Sequence, residues 1–290
     1  MHAFKPIKIL IIGCSGMLGN TLVRYFLDNP NFIVRGTVRT DAAASLLPSN
    51  VRDSIFVGID ADNLGAIDEL LESFRPDVVI NCVGVVKQLS SANDPLVSLP
   101  INSLFPHRLA RVCASSGSRL IHISTDCVFT GSKGMYCESD MPDARDMYGI
   151  SKFLGEVDYP NAVTLRTSII GHELSGTRSL VDWFLSQQKS VLGYKNAIFS
   201  GLPTIELAKV ISRYVIPNPQ LTGTYHVSAE PINKYELLKI IAEVYRKEIQ
   251  IVNDIDVKID RSLDSSRFRA LTGFTPSTWF EMVSLMRNFG

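Results

Sequence analysis

Short apolar runs rich in β-branched residues alternate along the chain with longer segments that place an apolar residue at every third or fourth position. The runs are typical of buried strands, and the longer segments are typical of amphipathic helices. We expect strands at residues 7–12, 32–38, 55–59, 76–81, 120–124 and 162–168. Strands and helices that alternate in this order predict an α/β fold built on a doubly wound parallel sheet.

The alternation becomes less regular after residue 168. Later helices and extended pieces are still expected, at residues 180–185, 207–215, 237–245, 194–199, 223–228 and 249–252. The piece at 223–228 can return to the main sheet as a late strand. We therefore predict a Rossmann domain of residues 1–168 plus about 203–228, and a smaller, discontinuous α/β lobe of about 169–202 plus 229–290.

Composition excludes several classes of protein. The 290 residues carry 29 basic and 29 acidic side chains, so no charge excess points to nucleic acid or a membrane surface as a partner. No apolar run reaches the length of a signal peptide or membrane span. The five cysteines are scattered and show no CxxC spacing, which favours reduced thiols in the cytoplasm over a disulfide framework or a metal site.

A glycine-rich turn follows the first predicted strand and precedes an amphipathic helix. Gly13 would permit the tight turn, Gly16 would let the backbone approach a pyrophosphate, and Gly19 would allow close packing of helix on strand. The helix N-terminus adds N–H groups suited to phosphates. A plain tight turn is the alternative, but this order of elements favours a dinucleotide site. Its candidates in the turn are Gly13, Ser15, Gly16, Met17, Leu18 and Gly19.

Arg39 lies twenty positions after Gly19, where such a unit chooses between NAD and NADP. A guanidinium suits a 2′-phosphate, so we favour NADPH, although nearby Asp41 leaves NADH open. Asp60 follows the third strand and could accept a hydrogen bond from adenine, whereas Asp62 could equally cap the next helix. The remaining cofactor candidates lie at strand ends: Asp60, Ala61, Cys82, Val83, Gly84 and Ser124.

Tyr148 and Lys152 lie four residues apart at the start of a predicted helix. This spacing puts them on one face, with Cβ atoms roughly 6 Å apart. We expect Ile150, Phe153, Leu154 and Val157 to form the apolar face, which leaves Tyr148 and Lys152 for a cleft. A phenol beside an ammonium group is suited to acid/base chemistry.

These motifs resemble those of the extended short-chain dehydrogenases/reductases, and within them the dTDP-4-dehydrorhamnose reductase branch. The superfamily match comprises the glycine turn, Asn102 at an expected helix start, Ser124-Thr125-Asp126, and Tyr148-Gly-Ile-Ser-Lys152. The branch match comprises STDCVFTG, Tyr136-x-Glu138-x-Asp140, YGISKFLGE, LRTS at 165–168, and Gly201-x-Pro203-Thr204.

The resemblance implies four catalytic roles. Tyr148 would protonate a carbonyl oxygen as hydride arrives from the nicotinamide, and Thr125 would orient that oxygen. Lys152 would lower the phenol pKa, bind the nicotinamide ribose, and receive protons through a water positioned by Asn102. Lowering a phenol pKa by three units requires about 4 kcal/mol of phenolate stabilisation.

The resemblance has departures at the expected sugar site. Cys127 stands where the branch usually has Tyr, and Ile169 and Ile170 follow LRTS where an aromatic residue is usual. Dehydratases of the superfamily carry Glu at the position of Cys127, so its absence argues against dehydration. The substrate candidates are Asp126, Cys127 and Lys87, while Gln88, His172, Glu173 and Arg261 could also meet the nucleotide or sugar.

The resemblance therefore implies an NADPH-dependent reductase of a nucleotide-activated 4-keto-6-deoxy sugar, in deoxysugar and surface-polysaccharide biosynthesis. Its partner would be a nucleotide-diphosphate sugar, and a homodimer is compatible with it. A sugar-nucleotide epimerase of the same superfamily is the first alternative. A non-catalytic NADP-binding regulatory subunit is the second.

Overall fold

A seven-stranded parallel sheet forms the centre of the molecule in the computed structural model, which describes residues 5–290. Residues 1–4 of the predicted first domain lie outside that range. The strands are β1 (Ile7–Ile12), β2 (Phe32–Val38), β3 (Ile55–Val57), β4 (Val78–Asn81), β5 (Arg119–Thr125), β6 (Ala162–Thr167), β7 (Ile169–Ile170), β8 (Ser190–Tyr194), β9 (Ala197–Phe199), β10 (Leu202–Pro203), β11 (Gly223–His226), β12 (Ile232–Asn233), β13 (Gln250–Asp254) and β14 (Ile259–Asp260).

The order of strands in the main sheet is β11-β6-β5-β4-β1-β2-β3, which confirms the predicted doubly wound α/β fold. The chain leaves β1 toward β2 on one side and later returns to β4 on the other. In such sheets the crevice beyond the carboxyl ends of the strands binds ligands at this switch point. The predicted late strand also pairs with β6 at the sheet edge, although it ends at His226.

Helices cover both faces of this sheet. They are α1 (Met17–Leu27), α2 (Asp41–Ser45), α3 (Ser49–Arg52), α4 (Leu64–Phe74), α5 (Pro95–Ser98), α6 (Phe105–Ser116), α7 (Met147–Leu154), α8 (Leu180–Ser186), α9 (Thr204–Val210), α10 (Lys234–Tyr245), α11 (Ser266–Thr272) and α12 (Trp279–Phe289). Ile9 and Ile11 pack into one core and Leu10 and Ile12 into the other, as the alternating sides of a strand require.

The chain after β6 forms small sheets beside the main one. These are β12-β9-β14, β13-β8 and β10-β7. The extended piece predicted at 194–199 is two strands in different sheets, because a turn at Lys195 and Asn196 separates β8 from β9. Phe184 and Leu237 belong to the same core cluster as Ile9, so apolar packing is continuous between this part and the main sheet. The predicted domain division stays a prediction.

Two expectations about helix starts are wrong. Asn102 does not open a helix, since it lies inside a π-helical segment (Leu99–Leu104) that joins α5 to α6. Asp94 caps this helical run, and its side chain accepts a hydrogen bond from the backbone N–H of Leu96. At α4 the N-cap is Asn63, whose side chain accepts from the N–H of Ala66, so Asp62 is not the cap.

The expected apolar face of α7 is also wrong. The helix buries Gly149, Ser151 and Lys152, while Phe153 and Leu154 are 37% and 51% exposed. Small residues face inward because α7 packs close to the end of β5: a Cβ on Gly149 would lie 2.3 Å from the carbonyl oxygen of Cys127. Steric closeness therefore decides which face of this helix is buried.

No helix within residues 5–290 combines the length and the apolar character needed to cross a bilayer.

Candidate active site

The glycine turn has the backbone geometry that its residues predict. Gly13 adopts a φ of +93°, a conformation that L side chains rarely adopt. A Cβ on Gly19 would lie 2.2 Å from the carbonyl oxygen of Gly13, so only glycine permits this contact between α1 and the turn. Gly16 is the N-cap of α1, and a Cβ there would be 3.6 Å from the nearest heavy atom. Packing therefore does not require glycine at position 16, and its role toward a pyrophosphate stays a prediction.

A cavity of about 560 Å³ opens beside this turn at the switch point of the sheet. Its volume lies within the range of small-molecule and cofactor sites. The predicted cofactor residues on its wall are Gly13, Ser15, Gly16, Arg39, Asp60, Ala61, Cys82, Val83 and Gly84. Asp62 also lines it.

Six predicted cofactor residues do not line this cavity: Met17, Leu18, Gly19, Ser124, and the pair Tyr148 and Lys152, which were also expected to contact the cofactor. Leu18 and Gly19 are buried where α1 packs on the sheet, and Met17 lies close to Gly171. The hydroxyl of Ser124 donates instead to the carboxylate of Glu156, at 2.6 Å.

The two arginines of β2 and its end differ in what they contact. Arg39 is exposed and lines the cavity. The guanidinium of Arg35 donates to the carbonyl of Val34 and the hydroxyl of Ser54, at 3.3 and 3.4 Å. Arg39 is therefore the arginine available to a ligand in the cavity.

Thr125, Tyr148 and Lys152 come together at the carboxyl end of β5. Thr125 is the last residue of β5, and its hydroxyl lies close enough to the Tyr148 phenol to lower the phenol pKa through a hydrogen bond. Lys152 is buried, and its Nζ donates to the carbonyl of Ile123 at 2.8 Å. Asp146 starts the helix that carries Tyr148 and Lys152 by accepting from the N–H of Gly149.

Burial governs the protonation of this group. Loss of water around the phenolate raises the pKa of Tyr148, and the nearby Cys127 and Asp126 raise it further. We expected Lys152 to lower the pKa of Tyr148, but Lys152 is not among the groups of the chain that shift this pKa. Burial lowers the pKa of Lys152 to about 8, against the opposing charge of Glu156. At neutral pH the chain therefore keeps Tyr148 protonated, as a proton donor must be.

Asn102 joins the loop after β4 to α7. Its Oδ1 accepts from the N–H of Val85 at 2.9 Å, and its Nδ2 donates to the carbonyl of Val85 at 3.2 Å and to the hydroxyl of Ser151 at 3.1 Å. π-Helical turns inside α-helices are frequent at functional sites. The side chain holds these two segments together, and its water-positioning role stays a prediction.

Of the predicted substrate residues Asp126, Cys127 and Lys87, only Cys127 lines a second cavity, of about 320 Å³. Its wall comprises Cys127, Phe129, Thr130, Ala144, Arg145, Asp146 and Arg261. Asp126 is buried beside it, and its Oδ1 accepts from the Thr125 hydroxyl at 3.2 Å. Lys87 pairs with Asp146 at 2.7 Å. Burial raises the pKa of the Cys127 thiol to about 12, so at neutral pH this residue contributes a small protonated side chain rather than a thiolate nucleophile.

Lys234 is a residue of this region that no sequence motif marks. It opens α10, its Nζ lies 3.7 Å from the centre of the Phe199 ring, and its charge acts on Asp126 together with that of Arg261. Burial lowers the pKa of Lys234 to about 8. Two cations from the C-terminal part of the chain therefore face the carboxylate that follows Thr125.

His172 and Glu173 are not brought to this cavity. The His172 ring bonds Asp182 at 2.6 Å and the Tyr245 hydroxyl at 2.7 Å. Glu173 accepts from the backbone N–H of Arg178 at 2.7 Å. Within residues 5–290 the His, Cys, Asp and Glu side chains form no cluster of three or more suited to a metal ion.

Comparison with known proteins agrees with this geometry. The family model described as "RmlD substrate binding domain" matches residues 7–287. The chain belongs to this family. The predicted resemblance is thereby confirmed along nearly the whole chain.

Three known proteins are similar to this chain along most of its length. A dTDP-4-dehydrorhamnose reductase of Aggregatibacter actinomycetemcomitans is 23% identical, over 97% of this chain and 99% of its own. A methionine adenosyltransferase 2 subunit beta of Xenopus laevis is 25% identical, over 94% of this chain and 78% of its own. The crystal structure of dTDP-4-dehydrorhamnose reductase from Bacillus anthracis in complex with NADP has a TM-score of 0.81 at 19% identity, and covers 98% of this chain and 100% of its own. The last comparison shows the same fold.

Proposed function

We propose that this RmlD-family protein is an NADPH-dependent reductase of a nucleotide-activated 4-keto-6-deoxy sugar, acting in deoxysugar and surface-polysaccharide biosynthesis. The observation that carries the proposal is the grouping of Thr125, Tyr148 and Lys152 at the end of β5, next to a cofactor-sized cavity behind the glycine turn. The similar proteins named dTDP-4-dehydrorhamnose reductase support this substrate class.

The walls of the larger cavity fit a dinucleotide. The first turn of α1 carries no acidic side chain, so its N–H groups and positive helix end can meet a pyrophosphate near Gly16. Arg39 supplies a cation for a 2′-phosphate, which favours NADPH over NADH. When bound, NADPH supplies the hydride, and Lys152 would hold the nicotinamide ribose.

The residues of the chain divide the remaining work. Tyr148 is held protonated by its surroundings and would donate its proton to the carbonyl oxygen of the sugar. The Thr125 hydroxyl would fix the position of that oxygen. Because Lys152 does not lower the pKa of Tyr148 in the chain alone, stabilisation of the phenolate left after the transfer would need the bound cofactor as well.

The proposal is tested by following NADPH absorbance with dTDP-, UDP- and GDP-linked 4-keto-6-deoxy sugars. Oxidation of one NADPH per sugar reduced supports the reductase, and no oxidation with any of the panel rejects it. A sugar-nucleotide epimerase would instead retain NAD(H) through purification and consume none during turnover.

A second candidate function rests on the relatives named methionine adenosyltransferase 2 subunit beta. In this case the chain would bind NADP and act as a subunit of another enzyme. Copurification with a methionine adenosyltransferase chain, without keto-sugar reduction, would favour it. The grouped Thr125, Tyr148 and Lys152 favour the reductase because a regulatory subunit needs no proton donor there.

We also propose that the chain forms a homodimer through the outer surface of α5, α6 and α7. Leu96, Leu104 and Leu154 are 84%, 49% and 51% exposed, and Phe153, the neighbour of Leu154 in sequence, is 37% exposed. Apolar side chains grouped at a surface are typical of interfaces. Sedimentation of the wild type and of Leu154→Glu tests this, since only a dimer through this surface dissociates in the variant.

Five free cysteines agree with a cytoplasmic location.

A further inference from the structure

Glu156 lies two residues beyond the end of α7, and its carboxylate is buried in contacts with two strands. Its Oε1 accepts from the Ser124 hydroxyl on β5 at 2.6 Å and from Nε of Arg166 on β6 at 2.7 Å. Its Oε2 accepts from Nη2 of Arg166 at 2.5 Å. A bidentate arginine and a hydroxyl together hold the carboxylate in one orientation.

A neutral histidine fixes the far side of this ion pair. Nη1 of Arg166 lies 3.1 Å from Nε2 of His226, and Nδ1 of His226 lies 2.9 Å from the carbonyl of Tyr136. A guanidinium can only donate, so Nε2 accepts and Nδ1 carries the proton. Burial and the charge of Arg166 lower the pKa of His226 to about 4, so the ring stays neutral at working pH.

Glu156 and Lys152 are tied to consecutive residues of β5. Lys152 donates to the carbonyl of Ile123, and Glu156 accepts from the hydroxyl of Ser124. We propose that Glu156 is a positioning residue for Lys152: held by Ser124 and Arg166, it anchors the end of α7 on β5 and keeps the buried ammonium group charged. This inference rests on the proposed function, in which a charged Lys152 acts beside Tyr148.

Apart from Glu156 and its partner Arg166, the titratable groups near Lys152 are neutral. Burial raises the pKa of the Cys82 thiol and of the Tyr148 phenol, and it lowers the pKa of the His122 imidazole, on which the Lys152 charge also acts. Glu156 supplies the largest of the charge effects that oppose the effect of burial on the pKa of Lys152. Its carboxylate therefore supports the ammonium form at this position.

The test is a 15N NMR titration of Lys152 Nζ, with the signal assigned by its loss in Lys152→Arg. In Glu156→Gln we expect the titration midpoint to fall by about one pH unit, the effect of losing a nearby charge in a protein interior. The matched control is Glu206→Gln, which removes another buried carboxylate, paired with Lys209, and should leave the midpoint unchanged. An unchanged midpoint in Glu156→Gln overturns the proposal and leaves a purely structural ion pair.

Loss of one partner of a buried ion pair can prevent folding. If Glu156→Gln does not fold, the same titration is made on Glu156→Gln with Arg166→Met, which leaves no lone buried cation. A lower midpoint supports the proposal there too, and a wild-type midpoint rejects it. The titration needs no substrate, so inactivity of the wild type toward keto sugars would reject the proposed function without deciding this inference. If the wild type is active, the alkaline limit of turnover should move with the midpoint.

Discussion

The cavity proposed for the cofactor and the cavity proposed for the substrate are built in different ways. Most residues of the first lie at the end of β2 or in the turns directly after β1, β3 and β4, and the others come from the helical segments between Leu89 and Ile101. The second joins Cys127 and Asp146 to Arg261, more than a hundred residues later, with Lys234 close to the adjoining Asp126. Strand order alone therefore places most of the first set, whereas the second depends on how the C-terminal part packs.

The two cavities also differ in charge. The first cavity offers the backbone N–H groups of the glycine turn, one exposed cation, Arg39, and the two carboxylates Asp60 and Asp62. The substrate side holds Arg145 and Arg261 on its wall, the buried Asp126 and the partly buried Lys234. Tyr148 lines neither cavity, but Cys127 of the second cavity acts on its phenol, and Lys152 on the same helix acts on Cys82 of the first. Changes at Tyr148 should therefore affect the reaction, and changes in either cavity should affect one ligand.

The largest effect is expected for Tyr148→Phe. Loss of the proton donor should lower turnover by about 10²- to 10⁴-fold, the usual contribution of a positioned acid. NADPH affinity, measured by fluorescence titration, should change little because the ring remains. Tyr159→Phe is the control: its hydroxyl bonds His107 at 3.0 Å, outside both cavities. Near-normal turnover in Tyr148→Phe would reject the assigned acid.

The next effect is on folding. Gly19→Ala should lower the free energy of unfolding by about 1–3 kcal/mol, because the new methyl group meets the backbone of Gly13 in a tightly packed contact. Gly16→Ala is the matched control, with φ of −78° and no close neighbour. Urea unfolding compares the two. If Gly16→Ala keeps its stability and loses NADPH affinity, Gly19 is needed for packing and Gly16 for contact with the pyrophosphate.

The residues of the fold and of the candidate site differ in how well the sequence predicts them. The strands, Gly13 and Gly19 follow from local patterns, and the pair Tyr148 and Lys152 follows from helical spacing. Asn102 was misplaced because a π-helical turn is a departure from the regular period and leaves no periodic signal. The buried face of α7 was misjudged because close backbone packing, rather than apolar area, decides it. Lys234 has neither a motif nor a neighbour in sequence that points to the site.

Arg39→Ala tests the choice of dinucleotide. Removal of a charge-assisted hydrogen bond of about 1.5–3 kcal/mol should weaken NADPH binding by about 10- to 100-fold and leave NADH binding nearly unchanged. Arg35→Ala is the control, because that guanidinium bonds Ser54 away from the cavity. Equal losses for both dinucleotides in Arg39→Ala would contradict a 2′-phosphate contact.

A pH series separates the two cavities. Lys152 and Lys234 both have a pKa lowered to about 8, so both lose their charge as the pH rises through 8. One pH unit above that value only about a tenth of each remains charged, and both NADPH affinity and kcat/KM should fall by about tenfold. In Lys234→Met, kcat/KM should already be low at pH 7. NADPH affinity should still decrease as the pH rises above 8, because Lys152 is unchanged. If that fall disappears as well, Lys234 acts on the cofactor side.

The smallest effect concerns Lys87, which was predicted to contact the substrate. Its ion pair with Asp146 is about 40% exposed on both sides, and such pairs contribute about 0.2–1 kcal/mol to stability. Asp146→Ala should cost more, about 0.5–2 kcal/mol, because it also removes the N-cap of α7. Thermal unfolding measures both costs. KM of Lys87→Ala for the keto sugar is measured separately from stability. If KM rises with only this small loss of stability, the ion pair with Asp146 breaks on binding and Lys87 contacts the substrate. If KM is unchanged, Lys87 only supports the start of the helix that carries Tyr148.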